Sequence, residues 1–277
     1  MTIALAVKVN DGVVLSSDSA SSIITEEGGV VQVYNNADKI FNLHKGAPIG
    51  IVTFGIGGLG QASISTLAKD FRARISVSPG PQSTGISLDN YVLEEVLTSF
   101  RDFIYQENYL PAYGDLERPP DLGFLMAGNS SGSQLAELWE IEIDNGQCSG
   151  PARVLPDEES GIAARGQPDP IIRLLAGFDE RAWAPLLSDA GLDDKVINAI
   201  LQSARERLIA PVVHSAMPIQ DAIDLAQMLA ELAIDFHKFA FGPPTVGGPV
   251  EVAAITKHEG FKWVERKHYF TAQLNPP

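Results

Sequence analysis

The sequence predicts an α+β protein in which two stacked β-sheets carry helices on their outer faces. Three observations predict it. Four or five β-rich runs precede the first helical segment, helical periodicity dominates from Pro170 to about Phe241, and β-pairs return in the middle and at the end of the chain. The order β-run, two helices, β-pair, helices, β-pair lacks the strict alternation of a doubly wound parallel sheet.

The opening runs TIALAVKV (2–9) and VVLSSDS (13–19) flank Asn10-Asp11-Gly12, residues that tolerate the positive φ of a tight hairpin turn. With Asp11-Gly12 as a two-residue turn, Asn10 pairs with Val13 and the register sets Thr2 opposite Ser21, a few residues from Asp18. Gly28 and Gly29 mark a turn, VVQVY (30–34) and KIFNL (39–43) read as strands, and PIGIVTF (48–54) as a buried one. Gln61 to Ile75 carries Ile64, Leu67, Ala68 and Phe71 at helical spacing. Ser87 to Tyr105 follows the same rule, with Ser87 placed to cap its start. A proline-rich loop, YLPAYGDLERPPD, leads to the β-runs LGFLMAG and AELWEIEI. PIIRLLAGF, ERAWAPLL, DKVINAILQSARERLI and PIQDAIDLAQMLAELAIDFHKF are helical, and VEVAAIT, KHEG and FKWVERKHY form a closing hairpin.

A chain of 277 residues can bury a core without disulfide or metal staples, and no repeat, low-complexity tract or linker divides it, so residues 1–277 read as one domain. One cysteine, Cys148, excludes an internal disulfide and suits a reducing compartment. A net charge of −15 repels phosphate backbones and anionic lipid, which argues against nucleic acid and membrane partners. The start MTIALAVKVNDG has no basic n-region and Lys8 interrupts its apolar run, so a cytoplasmic location is expected. His44, His214, His237, His258 and His268 are scattered with no metal-binding spacing, and no metal or organic cofactor is expected.

In VTFGIGGLGQ (52–61), Gly55, Gly57 and Gly60 fit G-x-G-x-x-G. A dinucleotide fingerprint would need a βαβ unit with an acidic strand end about 20 residues on, and ISVSPGPQSTG offers none. Close helix-to-sheet packing with no ligand would also account for the glycines. Thr2 offers a third option. It follows the initiator Met directly, and removal of Met1 would leave a hydroxyl nucleophile and an α-amine of pKa about 7.7–8.0 on one residue. Asp18 arrives near that terminus by the hairpin register, and Lys39 could approach from a neighbouring strand.

Taken together, TIALAVKVNDGVVLSSDSAS, ADKIFNL and IVTFGIGGLGQASISTLAKDF resemble the proteasome β-subunit family of N-terminal threonine hydrolases, which includes a bacterial peptidase that pairs with an unfoldase ring. The resemblance covers roughly the first 75 residues by motif and the rest by element order. It implies an αββα four-layer sandwich of the N-terminal-nucleophile (Ntn) hydrolase type. It also implies Thr2 as nucleophile, Asp18 and Lys39 as its tuning pair, and the N–H of Gly55, with Gly57 as the alternative, as oxyanion hole. The implied activity is cleavage of amide bonds in peptides or unfolded protein by a homo-oligomeric ring or related assembly, with an ATPase unfoldase as a possible partner. The chain departs from the family where Arg165-Gly166-Gln167 stands for a Ser-Gly pair, and where Asp235 and Thr245 are the candidates for an Asp and a Ser. It is also longer, through a helical insert around 177–217. Two other readings stay open: a catalytically inactive assembly subunit, and a nucleotide-binding enzyme using the glycine loop.

Overall fold

The computed structural model describes residues 2–25, 29–77 and 85–267. Its strands are β1 (Ile3–Val9), β2 (Gly12–Ser17), β3 (Ser21–Ile24), β4 (Val30–Tyr34), β5 (Ile40–Asn42), β6 (Ile49–Gly55), β7 (Gly58–Leu59), β8 (Ala62–Ser63), β9 (Leu122–Gly128), β10 (Glu137–Asp144), β11 (Gln147–Cys148), β12 (Ala152–Arg153), β13 (Gly161–Gly166), β14 (Glu251–Thr256) and β15 (Gly260–Glu265). The helices are α1 (Ile64–Ile75), α2 (Leu93–Ile104), α3 (Leu110–Tyr113), α4 (Asp169–Ala176), α5 (Glu180–Asp189), α6 (Asp194–Leu208) and α7 (Ile219–Phe239). The protein is α+β with antiparallel sheets.

One sheet has the order β13-β1-β2-β14-β15, and the second runs β11-β10-β9-β6-β5 with β12 also on β10. Every residue of β1 is buried, because its two faces serve two cores. Ile3, Leu5 and Val7 pack with Ala226, Leu229 and Ala233 of α7. The alternate residues Ala4 and Ala6 meet Val52, Phe54, Leu125 and Leu138 of the second sheet. Small side chains on that inner face let the sheets approach closely. The far face of the second sheet packs Ile51, Phe124 and Met126 with Leu67 and Phe71 of α1 and Phe100 of α2. Helices α5 and α6 contribute to a separate small cluster with Phe178, Ile197 and Leu201.

The β1–β2 hairpin differs from expectation. Val9 pairs with Gly12 and Ala4 with Ser17, so Asn10-Asp11 forms the turn and the register points Thr2 towards Ser19, not Ser21. The two-residue shift keeps each side chain on its expected face. None of Asn10, Asp11 and Gly12 has a positive φ. Gly12 answers a different demand, because a Cβ there would lie 2.3 Å from the carbonyl oxygen of Ile255 in the adjacent strand β14.

Other boundaries move for local reasons. Helix α1 starts three residues later than its periodicity suggests, since the β7–β8 hairpin occupies the glycine stretch and Ser63 caps the helix by accepting from Thr66 N–H. Ser87 lies in a turn, and α2 begins at Leu93 without a side-chain cap. The segment read as a proline-rich loop begins instead as helix, passing through a π-helical turn (Tyr105–Tyr109) into α3. Leu110 N–H reaches back to Tyr105 O, and Pro111 sits in the first turn of α3, where its missing N–H costs little. Strand β13 is absent from the sequence expectation. No helix among the described residues is long and apolar enough to cross a membrane.

Candidate functional site

Asp18 lies just past the end of β2 and is fully buried. Four donors converge on its carboxylate. Ile3 N–H at 3.0 Å and Lys39 Nζ at 2.6 Å share Oδ1, while Ala20 N–H at 3.1 Å and Gly247 N–H at 3.0 Å share Oδ2. Lys39, at the entrance to β5, is 5% exposed, and its ammonium needs that charge partner. Burial holds the Lys39 amine below its ordinary pKa, and the nearby positive charge of Lys267 adds to this. The charge and hydrogen bond of Asp18, and more weakly Glu251, oppose it.

Thr2 is 4% exposed and is held through the peptide unit that follows it. Its carbonyl accepts from Gln167 N–H at 2.8 Å, the next N–H belongs to the Ile3–Asp18 bond, and Ser17 Oγ donates to Ile3 O at 2.9 Å. Gly166 stands opposite Ile3 with φ +82°, and a Cβ there would be 2.1 Å from the Thr2 carbonyl oxygen. Arg165 and Gln167 flank this position, so the segment expected beside Thr2 does lie there. Arg165 itself is turned to Glu140, with Nε to Oε1 at 2.6 Å and Nη2 to Oε2 at 2.9 Å.

The glycine stretch borders this clamp. Gly55 ends β6 with φ +94°, and a Cβ would meet Asp121 O at 2.3 Å. Its neighbour Phe54 has its Cβ 3.6 Å from the position a Gly166 Cβ would take, and Gly57 faces Ser21 Oγ at 3.5 Å by the same measure. Gly60, φ +57°, belongs to the turn between β7 and β8. A dinucleotide fingerprint needs a parallel βαβ unit with the helix opening directly from the glycines. Here β6 pairs antiparallel with both neighbours and a hairpin intervenes before α1.

The expected supporting residues are partly replaced. Asp235 is exposed on α7 and Thr245 is buried. The group from that region that reaches Asp18 is the backbone N–H of Gly247, which no side-chain motif announces. Lys267, also without a sequence signal, pairs with Glu251 at 2.8 Å and Asp38 at 3.4 Å. Burial raises the Glu251 carboxyl above its ordinary value, with the bond and charge of Lys267 opposing. The folded state therefore binds the extra proton between pH 4.5 and that raised pKa, and stability falls as pH rises through this window. Glu251→Gln is expected to flatten the decline relative to wild type, measured by urea unfolding at several pH values across the mildly acidic range. Parallel curves would show that Glu251 does not carry it. Burial also pushes the Cys148 thiol up to about 11, which makes it a poor nucleophile near neutrality. His268 and Met1 lie outside the described residues.

No family model and no curated protein matches the chain. Solved structures share its fold. They include an Anbu (Gly-1) mutant from Hyphomicrobium sp. strain MC1, with TM-score 0.56 and 12% identity over 96% of this chain and 86% of the other. Anbu (ancestral beta-subunit) from Yersinia bercovieri gives 0.52 and 13% over 96% and 88%. The helical assembly of the Anbu complex from Pseudomonas aeruginosa gives 0.52 and 12% over 98% and 90%. These neighbours correct the family read from the first 75 residues. They are Anbu proteins, a family related to the proteasome β-subunits but distinct from them.

Proposed function

We propose that this chain is an N-terminal-nucleophile threonine hydrolase that cleaves amide bonds in peptides or unfolded protein, on an αββα scaffold of the Anbu kind. The observation that carries the reading is the sharing of one Asp18 oxygen by Ile3 N–H and Lys39 Nζ, which ties a buried lysine to the peptide unit following Thr2. The three apolar clusters, one between the sheets and one under the helices on each side, support the layered scaffold.

In this mechanism Met1 is removed. The Thr2 hydroxyl attacks the substrate carbonyl, the Thr2 amine takes the hydroxyl proton and returns it to the leaving amine, and an acyl ester forms on Thr2. Water, deprotonated by the same amine, then releases the acid and restores the hydroxyl. The Lys39 ammonium, held in position by Asp18, lowers the cost of alkoxide character on Thr2. The Gly55 N–H serves the oxyanion. The helical segment around 177–217 is an insert in a single domain of residues 1–277. The chain works as a homo-oligomer, in keeping with the helical assembly of the Pseudomonas aeruginosa neighbour. A single monomer peak in light scattering would remove this last part.

The test is the intact mass of purified protein after a threonine-directed electrophile. One adduct on a chain that begins at Thr2 is expected, together with its loss and a fall in peptide hydrolysis of at least about a thousandfold in Thr2→Ala. A retained Met1, or an adduct that persists in Thr2→Ala, would count against the nucleophile. In that case the inactive assembly subunit becomes the better reading, as the missing Ser-Gly pair permits.

A further inference from the structure

Ser19 directly follows Asp18, and Ala37 lies two residues before Lys39. The two are joined by Ala37 N–H donating to Ser19 O at 2.9 Å, so this junction sets how far apart the backbones of the ion pair stand. A side chain from the far end of the chain enters the same junction. Lys267 Nζ donates to Ala37 O at 2.8 Å and to Ser19 Oγ at 3.0 Å, and pairs with Glu251 at 2.8 Å. Ser19 Oγ in turn donates to Pro249 O at 2.7 Å, so its proton is committed and a lone pair is left for the ammonium. Two hydrogen bonds thus hold the ammonium on Ala37 O and Ser19 Oγ, and Glu251 supplies its ion pair. A second cation held near a buried lysine is repulsive, and Glu251 and Asp38 supply the charge that offsets it.

We propose that Lys267 is a positioning residue of the Thr2 site, clamping the Ser19–Ala37 junction so that the Asp18–Lys39 pair is fixed beside Thr2. The inference rests on the reading of Thr2 as nucleophile. Its electrostatic consequence follows from the groups acting on Lys39. Lys267 works in the same direction as burial in favouring the neutral amine, while Asp18 and Glu251 favour the ammonium. Loss of the Lys267 charge therefore raises the Lys39 pKa.

The experiment compares wild type with Lys267→Met, Lys267→Arg and the double variant Lys267→Met/Glu251→Gln, which leaves no buried carboxylate stranded. Lys39 is titrated by site-resolved amine labelling read by mass spectrometry, a measurement that needs no turnover. The expected result is an upward shift of at least about half a pH unit in Lys267→Met, a smaller upward shift in the double variant, and little shift in Lys267→Arg. With peptide substrate, kcat falls about tenfold in Lys267→Met with KM within about twofold, and Lys267→Arg recovers most of it. An unchanged Lys39 titration in both charge-removing variants overturns the inference, as does a raised KM with unchanged kcat. If wild type forms no adduct at Thr2, the hydrolase reading fails by itself, and the Lys39 titration still decides whether Lys267 acts on the pair.

Discussion

Asp18→Asn is expected to cost about 3–5 kcal/mol of stability and to abolish adduct formation at Thr2. The substitution is nearly isosteric, so the effect comes from charge and proton placement. Each partner of the carboxylate is a donor: Ile3 N–H and Lys39 Nζ on one oxygen, Ala20 N–H and Gly247 N–H on the other. Whichever way the amide is turned, its NH2 faces two donors, and the 5% exposed Lys39 loses its counter-charge. Thermal unfolding should drop by roughly 6–20 °C, at about 2–4 °C per kcal/mol for a chain of this size class. The double variant Asp18→Asn/Lys39→Met removes the stranded ammonium and should recover part of the loss. A single variant within about 1 kcal/mol of wild type would mean that the four-donor clamp is not what organises this end of the sheet.

Gly166→Ala is expected to remove Thr2 from its working position. The new Cβ would sit 2.1 Å from the Thr2 carbonyl oxygen and 3.0 Å from its carbon, both backbone atoms that no rotamer change can move, and φ is +82°. The unfavourable φ costs about 1–3 kcal/mol before the clash is counted. Relief of the clash must displace either β13 or Thr2, and a shift of about 1 Å in a reacting group can lower rate a hundredfold. The proper control is Gly177→Ala, where φ is +74° but a Cβ meets nothing within 4 Å. Gly177→Ala should lose modest stability and keep the rate of adduct formation. Equal loss of labelling in both variants would show that backbone strain, and not the approach to Thr2, is responsible.

Much of the scaffold is legible in the chain because it follows local rules. The opening hairpin, the runs at 122–128 and 251–256, and the long helix α7 announce themselves by alternation, turn residues and 3.6-residue periodicity. The pairing of Asp18 with Lys39 is legible too, as both sit at the ends of recognisable strands near the terminus. The turn residues of the hairpin are less informative. Gly12 suggests a positive φ, whereas close passage of β14 is what demands a glycine there.

Residue order alone thus yields the α+β class, the strands that carry Asp18 and Lys39, and a proteasome-related look to the N-terminus. What surrounds Thr2 depends on how distant segments fold together. GIAARG is short and rich in Ala and Gly, and it becomes β13 through pairing with β1 across most of the chain. The Gly247 N–H and the Lys267 ammonium reach the Asp18 region from 229 and 248 residues away. Contacts of that separation leave no periodicity in the chain. They exist because two sheets and their connecting loops converge here, where the buried Asp18 carboxylate takes the Gly247 N–H and the Ser19–Ala37 junction takes the Lys267 ammonium.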